Sequence, residues 1–472
     1  MTDLPPGASP SEAQPRLNSF YFTAWRWHFY AGLYVVPFLL MLAVTGALMV
    51  WFTAIDSEYG DRIAVTPAAQ ALGVGAQIAA AEAAHPGSRA DKYISPRDDR
   101  TPAIVRVQDG ETALMLAVDP YSGAVVSDRP EAGTWNDWLT NLHGELLWGG
   151  NGGPGDTLVE IAASLAVMML ASGLYLAWPR QSQGWRAVLV PDLTARGRSF
   201  WKSLHVTTGV WVALFLAFFL LTGMSWTGVW GGRIVQPWSS FPAAKWDAVP
   251  LSDATHAAMN HTAQEEVPWV LELVPLPASG SQAGVQLLPP GTPVTFETVM
   301  AGARALGFDA RVQVSAPADA TGVWTLSRDS QSYDSPTPTS DRTVHLDQYT
   351  GKVLADVRFA DYPLMGKMMA VGIALHEGQL GWWSVALNLL ICAGLVLSCV
   401  AGVVLWWKRR PVAAGRLAAP PRGPQARLWI GGLVVAVLVG LAFPLGGAAI
   451  LAVLALDALL LRHVPALKRA LS

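Results

Sequence analysis

Four of the chain's nine histidines stand at matched positions. His28 opens "HFYAGLYVVPFLLMLAVTG" and His205 opens "HVTTGVWVALFLAFFLLTG". Aligned without gaps, 25–46 and 202–223 share His28/His205, Gly32/Gly209 and Thr45-Gly46/Thr222-Gly223, together with a Val, a Phe and a Leu. His143 in "LHGELLWGG" and His376 in "LHEGQLGWW" make the second matched set. Imidazole is a good axial ligand for haem iron, and two per iron leave no open position, which favours electron transfer over binding of small molecules. A closed zinc site wants four donors, usually with Cys or carboxylate among them, and two histidines make a poor one. The expected pairing is His28 with His205 around one haem b and His143 with His376 around a second.

The helices that carry these residues support that chemistry. Gly32 lies four residues after His28 and Gly46 eighteen after it, five whole turns at about 3.6 residues each. His205, Gly209 and Gly223 repeat the spacing. One face of each helix therefore presents an imidazole, bare backbone just above it, and bare backbone again roughly 27 Å on. A flat macrocycle needs a ligand and room where its edge packs; a small-residue seam for helix–helix contact uses glycine in the same way. Arg26 and Lys202, within a turn of His28 and His205, suit haem propionates and equally suit the anchoring of a helix end.

Long uncharged runs, 52% hydrophobic residues, 14% charged residues and 21 Trp read as a membrane protein. Membrane helices are expected at 30–53, 157–178, 206–230 and 382–407. A stretch at 428–461, broken at Pro444, reads as a short helical hairpin. Basic residues orient the chain. The 179–205 loop holds five before His205 against Asp192 alone, and the 408–427 loop holds six with no acid. By contrast 54–156 carries 15 acids to 7 bases, and 231–381 carries 15 to 9. The N-terminus (from residue 1), both short loops and the tail 462–472 are thus expected in the cytoplasm, and the two large segments outside. The polar first 20 residues, with no small-residue cleavage site after the apolar run, read as an uncleaved anchor. A net charge of −3 argues against a nucleic-acid partner.

Each large segment reads as a small α+β domain, a helix on an antiparallel sheet. "VDPYSGAVVSD" (118–128) matches "LDQYTGKVLAD" (346–356), strand–turn–strand with Gly in the turn. Helical patterns precede them at 68–84 and 295–307, and strands are expected at 103–107 and 323–327. The insert 237–290, rich in Pro and Trp, matches no pattern. The fold class is therefore an α-helical integral membrane protein, four core helices in two repeats plus a C-terminal hairpin, with two extramembrane α+β domains.

The remaining candidates read as structural. Cys392 and Cys399 read as packing residues, and no C-x-x-C-H occurs for covalent haem attachment. Met365, Met369 and Gly372 share the His376 face and read as packing. His85, His256, His261, His345 and His463 have no counterpart in the other repeat, with His256 and His261 five apart. No catalytic residue stands out. Only Glu160 and Asp457 come near a spanning segment as a transporter would require. The inner loops hold no G-x-G-x-x-G and are too short for a nicotinamide or flavin domain, so electrons must come from a separate cytoplasmic protein or from quinol.

Over roughly 20–410 the duplicated plan, the D-x-Y-[ST]-G hairpins and the histidine phrases resemble the PepSY-associated membrane proteins of bacterial inner membranes, which include PiuB-like iron-uptake proteins and FoxB-like ferric-siderophore reductases. The resemblance implies PepSY-like periplasmic domains and haem-mediated electron transfer across the inner membrane to a ferric siderophore or other ferric chelate. The insert and the C-terminal hairpin depart from shorter members. Two other readings remain: a non-redox PepSY regulator or binding protein anchored by helices, and a transporter.

Overall fold

A computed structural model describes residues 19–180, 184–240, 246, 248–260, 267–410, 417–421, 430–461 and 463–464. The helices are α1 (Ser19–Val50), α2 (Val74–Ala84), α3 (Trp135–Glu145), α4 (Pro154–Ala177), α5 (Arg186–Leu189), α6 (Gly197–Met224), α7 (Phe296–Ala305), α8 (Leu364–His376), α9 (Trp382–Arg409), α10 (Ile430–Ala442) and α11 (Pro444–Leu456). Four helical stretches, Phe20–Asp56, Pro154–Ala177, Gly197–Met224 and Trp382–Arg409, are long and apolar enough to cross a membrane.

Helices α1 and α6 begin about three turns before the hydropathic runs at 30–53 and 206–230 that mark them. The preceding segments, rich in Trp, Tyr, Arg and Lys, are competent helix formers suited to a membrane–water boundary. Hydropathy registers only the hydrocarbon-compatible part. His28 and His205 consequently sit inside their helices, not at the mouths. Helix α6 also ends at Met224, short of the expected 230, and the chain turns at Ser225–Gly228.

The residue contacts divide the chain into two units. One takes the described residues of 1–36, 164–213 and 401–472. It contains the N-terminal parts of α1 and α6, the C-terminal parts of α4 and α9, and α5, α10 and α11. Pro444 breaks the last apolar stretch into two 13-residue helices, since proline lacks the N–H a continuing helix needs. These two pack through glycine, Gly440 against Gly447, and a Cβ at Gly446 would lie 2.6 Å from the Ser164 Cβ of α4.

The other unit holds 37–163 and 214–400. Its strands are β1 (Arg89–Ile94), β2 (Ala103–Asp109), β3 (Thr112–Val118), β4 (Val125–Pro130), β5 (Leu251–Thr255), β6 (Pro275–Pro277), β7 (Val285–Gln286), β8 (Gln313–Ser315), β9 (Val323–Arg328), β10 (Arg342–Asp347) and β11 (Lys352–Arg358). The sequence pattern predicts two separate sheets. The structure has one nine-stranded sheet in the order β4-β3-β2-β1-β8-β9-β10-β11-β7. The join is antiparallel, with Tyr93 opposite Val314 and Ile94 opposite Gln313. Each half would otherwise leave an unpaired edge, and pairing edge to edge satisfies those backbone groups.

One face of this sheet packs against α2 and α7, with Ile78, Ala81, Val299 and Ala303 meeting Val105, Leu116, Val314, Leu326 and Val344. Thr295 caps α7 by accepting from Thr298 N–H, satisfying a donor the helix cannot. Truncating Leu326, fully buried, would cost about 2–5 kcal/mol. Both D-x-Y-[ST]-G hairpins form as expected. Asp119 Oδ1 accepts from Tyr121 N and Asp347 Oδ1 from Tyr349 N, while Gly123 and Gly351 take φ of +74° and +62°, a region glycine enters freely. The insert 237–290 contributes short 3₁₀ turns, the β5–β6 ribbon and edge strand β7. Its residues 241–245, 247 and 261–266, including His261, lie outside the described set.

Candidate functional site

Helix α1 presents His28 to α4. The His28 Nδ1 lies 2.9 Å from the Met169 carbonyl and 3.2 Å from Ser172 Oγ. A carbonyl only accepts, so Nδ1 carries the proton and donates it, and the lone pair is left on Nε2. The His205 ring of α6 lies 6.3 Å from that of His28, centre to centre, with the planes at 68°. Two imidazoles ligating opposite sides of one metal at about 2 Å each have centres roughly 6 Å apart, so the spacing fits a bis-histidine haem.

Glycine on the neighbouring helix lets each ring in. A Cβ at Gly173 of α4 would stand 3.0 Å from His28 Cε1, and one at Gly402 of α9 would stand 3.2 Å from His205 Cε1. Real side chains rarely pack that closely. Sequence reasoning missed both, although "GLYLAWPR" and "GVVLWWKR" each begin with the relevant glycine. Of the glycines it singled out, a Cβ at Gly32 would make an ordinary 3.7 Å contact with Met169 Sδ, and Gly209 is half-buried one turn beyond His205. Lys202 is exposed. Arg26 bonds Tyr30 Oη at 3.0 Å and the Pro420 carbonyl, while Arg409 lies 5.2 Å from both the Trp25 and Phe29 rings.

The second pair is built otherwise. His143 lies in the last turn of α3 and His376 ends α8, short helices that the apolar pattern does not separate from the long ones. His143 Nδ1 is 2.7 Å from Thr45 Oγ1, and His376 Nδ1 is 2.6 Å from Thr222 Oγ1. Each threonine already donates its only hydroxyl proton back along its helix, Thr45 to Met41 O at 2.8 Å and Thr222 to Phe218 O at 2.9 Å. Each therefore accepts from the imidazole. Nδ1 again carries the proton and Nε2 the lone pair.

Burial holds His143 at a pKa of about 4, and burial with the nearby His143 charge holds His376 at about 3, so both rings are neutral and able to ligate at neutral pH. A Cβ on Gly46 or Gly223, the glycines read from the sequence as room for a ring edge, would lie 3.5 Å from Cε1 of His143 or His376, an ordinary contact. The threonine of each repeated Thr-Gly dipeptide thus orients a histidine, and its glycine faces the ring. A glycine-rich turn holds α3 in place, since a Cβ at Gly155 would collide with the Glu145 carbonyl.

Surroundings of the second pair include residues the sequence did not mark. Tyr333, between β9 and β10, bonds Thr53 Oγ1 at 2.8 Å and the Glu377 carbonyl at 3.1 Å. Arg97 bonds the Tyr333 carbonyl and pairs with Asp61; Arg311 joins Asp61 to Asp334. Burial pushes the Glu377 carboxyl, beside His376, up to about 7. Met369 and Gly372 pack as expected, in the cluster with Trp269 and Ile373 and against Thr222 respectively. Glu160, a transporter candidate, accepts from the Val229 and Trp230 N–H groups at 3.1 Å, a capping role. Both cysteines are free.

Among the described residues no set of three or more His, Cys, Asp or Glu is placed to hold a metal ion. Paired imidazoles are the donor set that a bis-histidine haem uses. A search of the curated proteins found no match. The profile of the PepSY-associated TM region matches residues 25–409, a span that contains both histidine pairs, and the chain belongs to that family.

Proposed function

We propose that this chain is a di-haem b oxidoreductase of the bacterial inner membrane that passes electrons from the cytoplasmic side to a ferric chelate, such as a ferric siderophore, in the periplasm. One observation carries the reading: in His28, His143 and His376 alike, Nδ1 is committed to a fixed acceptor and Nε2 is left bare. A core histidine serving only structure has no need for three such arrangements at matched positions. Haem b ligated by two imidazoles supplies a one-electron couple without an open coordination position.

The chain's own residues do the rest. Met169 and Thr45, with Thr222, fix ring orientation and raise ligand basicity. Gly173 and Gly402 admit the His28 and His205 rings, and Gly46 and Gly223 face those of His143 and His376. His143 and His376 are half-buried, and that burial keeps them unprotonated at neutral pH. Basic loops at 179–205 and 408–427 support a cytoplasmic placement for those segments and a periplasmic one for the sheet unit. Reduction weakens a hard-oxygen ferric chelate because Fe(II) is the softer, more weakly bound ion. The electron donor would be quinol or a separate cytoplasmic protein.

The test is single-turnover reoxidation. Reduced protein mixed with a ferric siderophore should reoxidise and release ferrous iron to a coloured chelator, and His376→Ala should prevent it. Protein that stays reduced with every ferric chelate, yet reoxidises with a quinone, would remove the iron-reductase reading and leave an electron relay.

A further inference from the structure

A third histidine pair lies in the sheet unit, away from the matched positions. His345 of β10 is directly opposite Thr325 of β9, so the two side chains share a face. That face is the one turned away from α2 and α7, because Val344, Leu346, Trp324 and Leu326 occupy the alternate positions packed on those helices. The insert covers it with the turn His256–Met259. In a 3₁₀ turn residues three apart eclipse one another, which aligns His256 with Met259.

Both histidines are fully buried, and their Nε2 atoms are 2.9 Å apart. His256 Nδ1 donates to the Val274 carbonyl at 2.7 Å, so its Nε2 bears a lone pair. His345 Nδ1 lies 3.0 Å from Thr325 Oγ1, and that hydroxyl also reaches Met259 Sδ at 3.9 Å. Thr325 has one proton to give. Given to His345, it leaves a neutral hydrogen bond between the rings. Given to Met259, it makes His345 Nδ1 the donor, and two lone pairs then face each other in a buried site, an unfavourable arrangement that a bound cation would relieve.

We propose that His256, His345 and Met259 form a buried site for one soft monovalent cation, copper(I). Two imidazoles and a thioether are soft, neutral donors that suit copper(I). With metal–nitrogen bonds of about 2 Å, nitrogens 2.9 Å apart subtend an angle of about 90°, leaving the open side for a third donor. The adjoining cavity is lined by Lys92, Gln313, Ser327 and Thr343 with no carboxylate, so a second positive charge there would go uncompensated and a divalent ion is disfavoured. The Trp246 indole lies 6.1 and 6.4 Å from the two rings and is the nearby aromatic group that a bound cation could contact.

The purified full-length, haem-containing chain, titrated anaerobically with copper(I) against bicinchoninate, should withhold one equivalent. His256→Gln and His345→Gln should each remove it, and Met259→Leu, which keeps both rings, should weaken it by at least the roughly 10–100-fold typical of outer-shell loss. Haem absorbance should be unchanged in all three, which checks folding and separates this site from the haem ligands. X-ray absorption of the loaded protein should give a shell of two nitrogens and one sulfur. The proposal is overturned if wild type withholds no more copper(I) than His345→Gln, if Met259→Leu binds as wild type does, or if zinc(II) is held more firmly than copper(I).

Discussion

The two matched histidine pairs reach one local result by different routes. In the first, His28 and His205 ride on long helices, and neighbouring long helices supply the support: the Met169 carbonyl for His28, and Gly173 or Gly402 beneath each ring. In the second, the histidines end short helices, and the long helices supply the support instead, Thr45-Gly46 and Thr222-Gly223. Ligand and cradle have exchanged places. What the pairs share is a glycine facing Cε1 of each ring and, at His28, His143 and His376, an Nδ1 with a fixed acceptor, which orients an imidazole as a metal ligand needs.

That difference can be broken. The largest effect should come from bulk under the first pair: Gly173→Leu or Gly402→Leu should abolish the first haem and leave the second, read as loss of about half the Soret absorbance. Alanine sharpens the contrast. A Cβ at Gly173 has only 3.0 Å of clearance, whereas one at Gly46 has 3.5 Å, ordinary contact distance. Gly173→Ala should therefore perturb its haem spectrum and Gly46→Ala should not; equal behaviour would remove the cradle argument.

A smaller effect should follow from taking away the acceptor alone. Thr45→Val or Thr222→Val deletes the partner of Nδ1 while keeping the shape, and should weaken retention of the second haem by roughly 10–100-fold, measured by haem transfer to apomyoglobin. The first haem should be unaffected.

The smallest concerns the sheet unit. Burial, then the Asp334 charge, pushes Asp329 up to about 7, and burial, then Asp329, pushes Asp341 up to about 8. Carboxyls raised in the folded state stabilise it fully below their unfolded values, and this contribution is lost as pH rises through the folded ones. Thermal stability should therefore fall between about pH 4 and pH 8, and Asp341→Asn should flatten the fall. A flat wild-type profile would contradict the burial of these acids.

Much of the arrangement was legible in the sequence because the paired histidines and the Thr-Gly dipeptides repeat as words. The hairpins were legible too, since Asp and Gly at fixed offsets encode one turn. Gly173 and Gly402 escaped because a glycine under a ring differs from a seam glycine only once the neighbouring helix is in place. The single sheet escaped because the β1–β8 pairing joins edges 221 residues apart, Tyr93 to Val314, with short strands of no distinctive pattern. His256 was read beside His261, yet its partner is His345, reached through an insert whose short 3₁₀ turns carry no periodicity.

The central claim is that each matched pair holds one haem. Haem per chain, by pyridine haemochrome, in wild type and in His28→Ala, His205→Ala, His143→Ala and His376→Ala tests it most directly. Wild type should carry two haem b and each variant one, with His28 and His205 variants losing the same spectral component and His143 and His376 variants losing the other. Wild-type protein from haem-replete cells carrying none, or losses that group His28 with His143, would contradict the account.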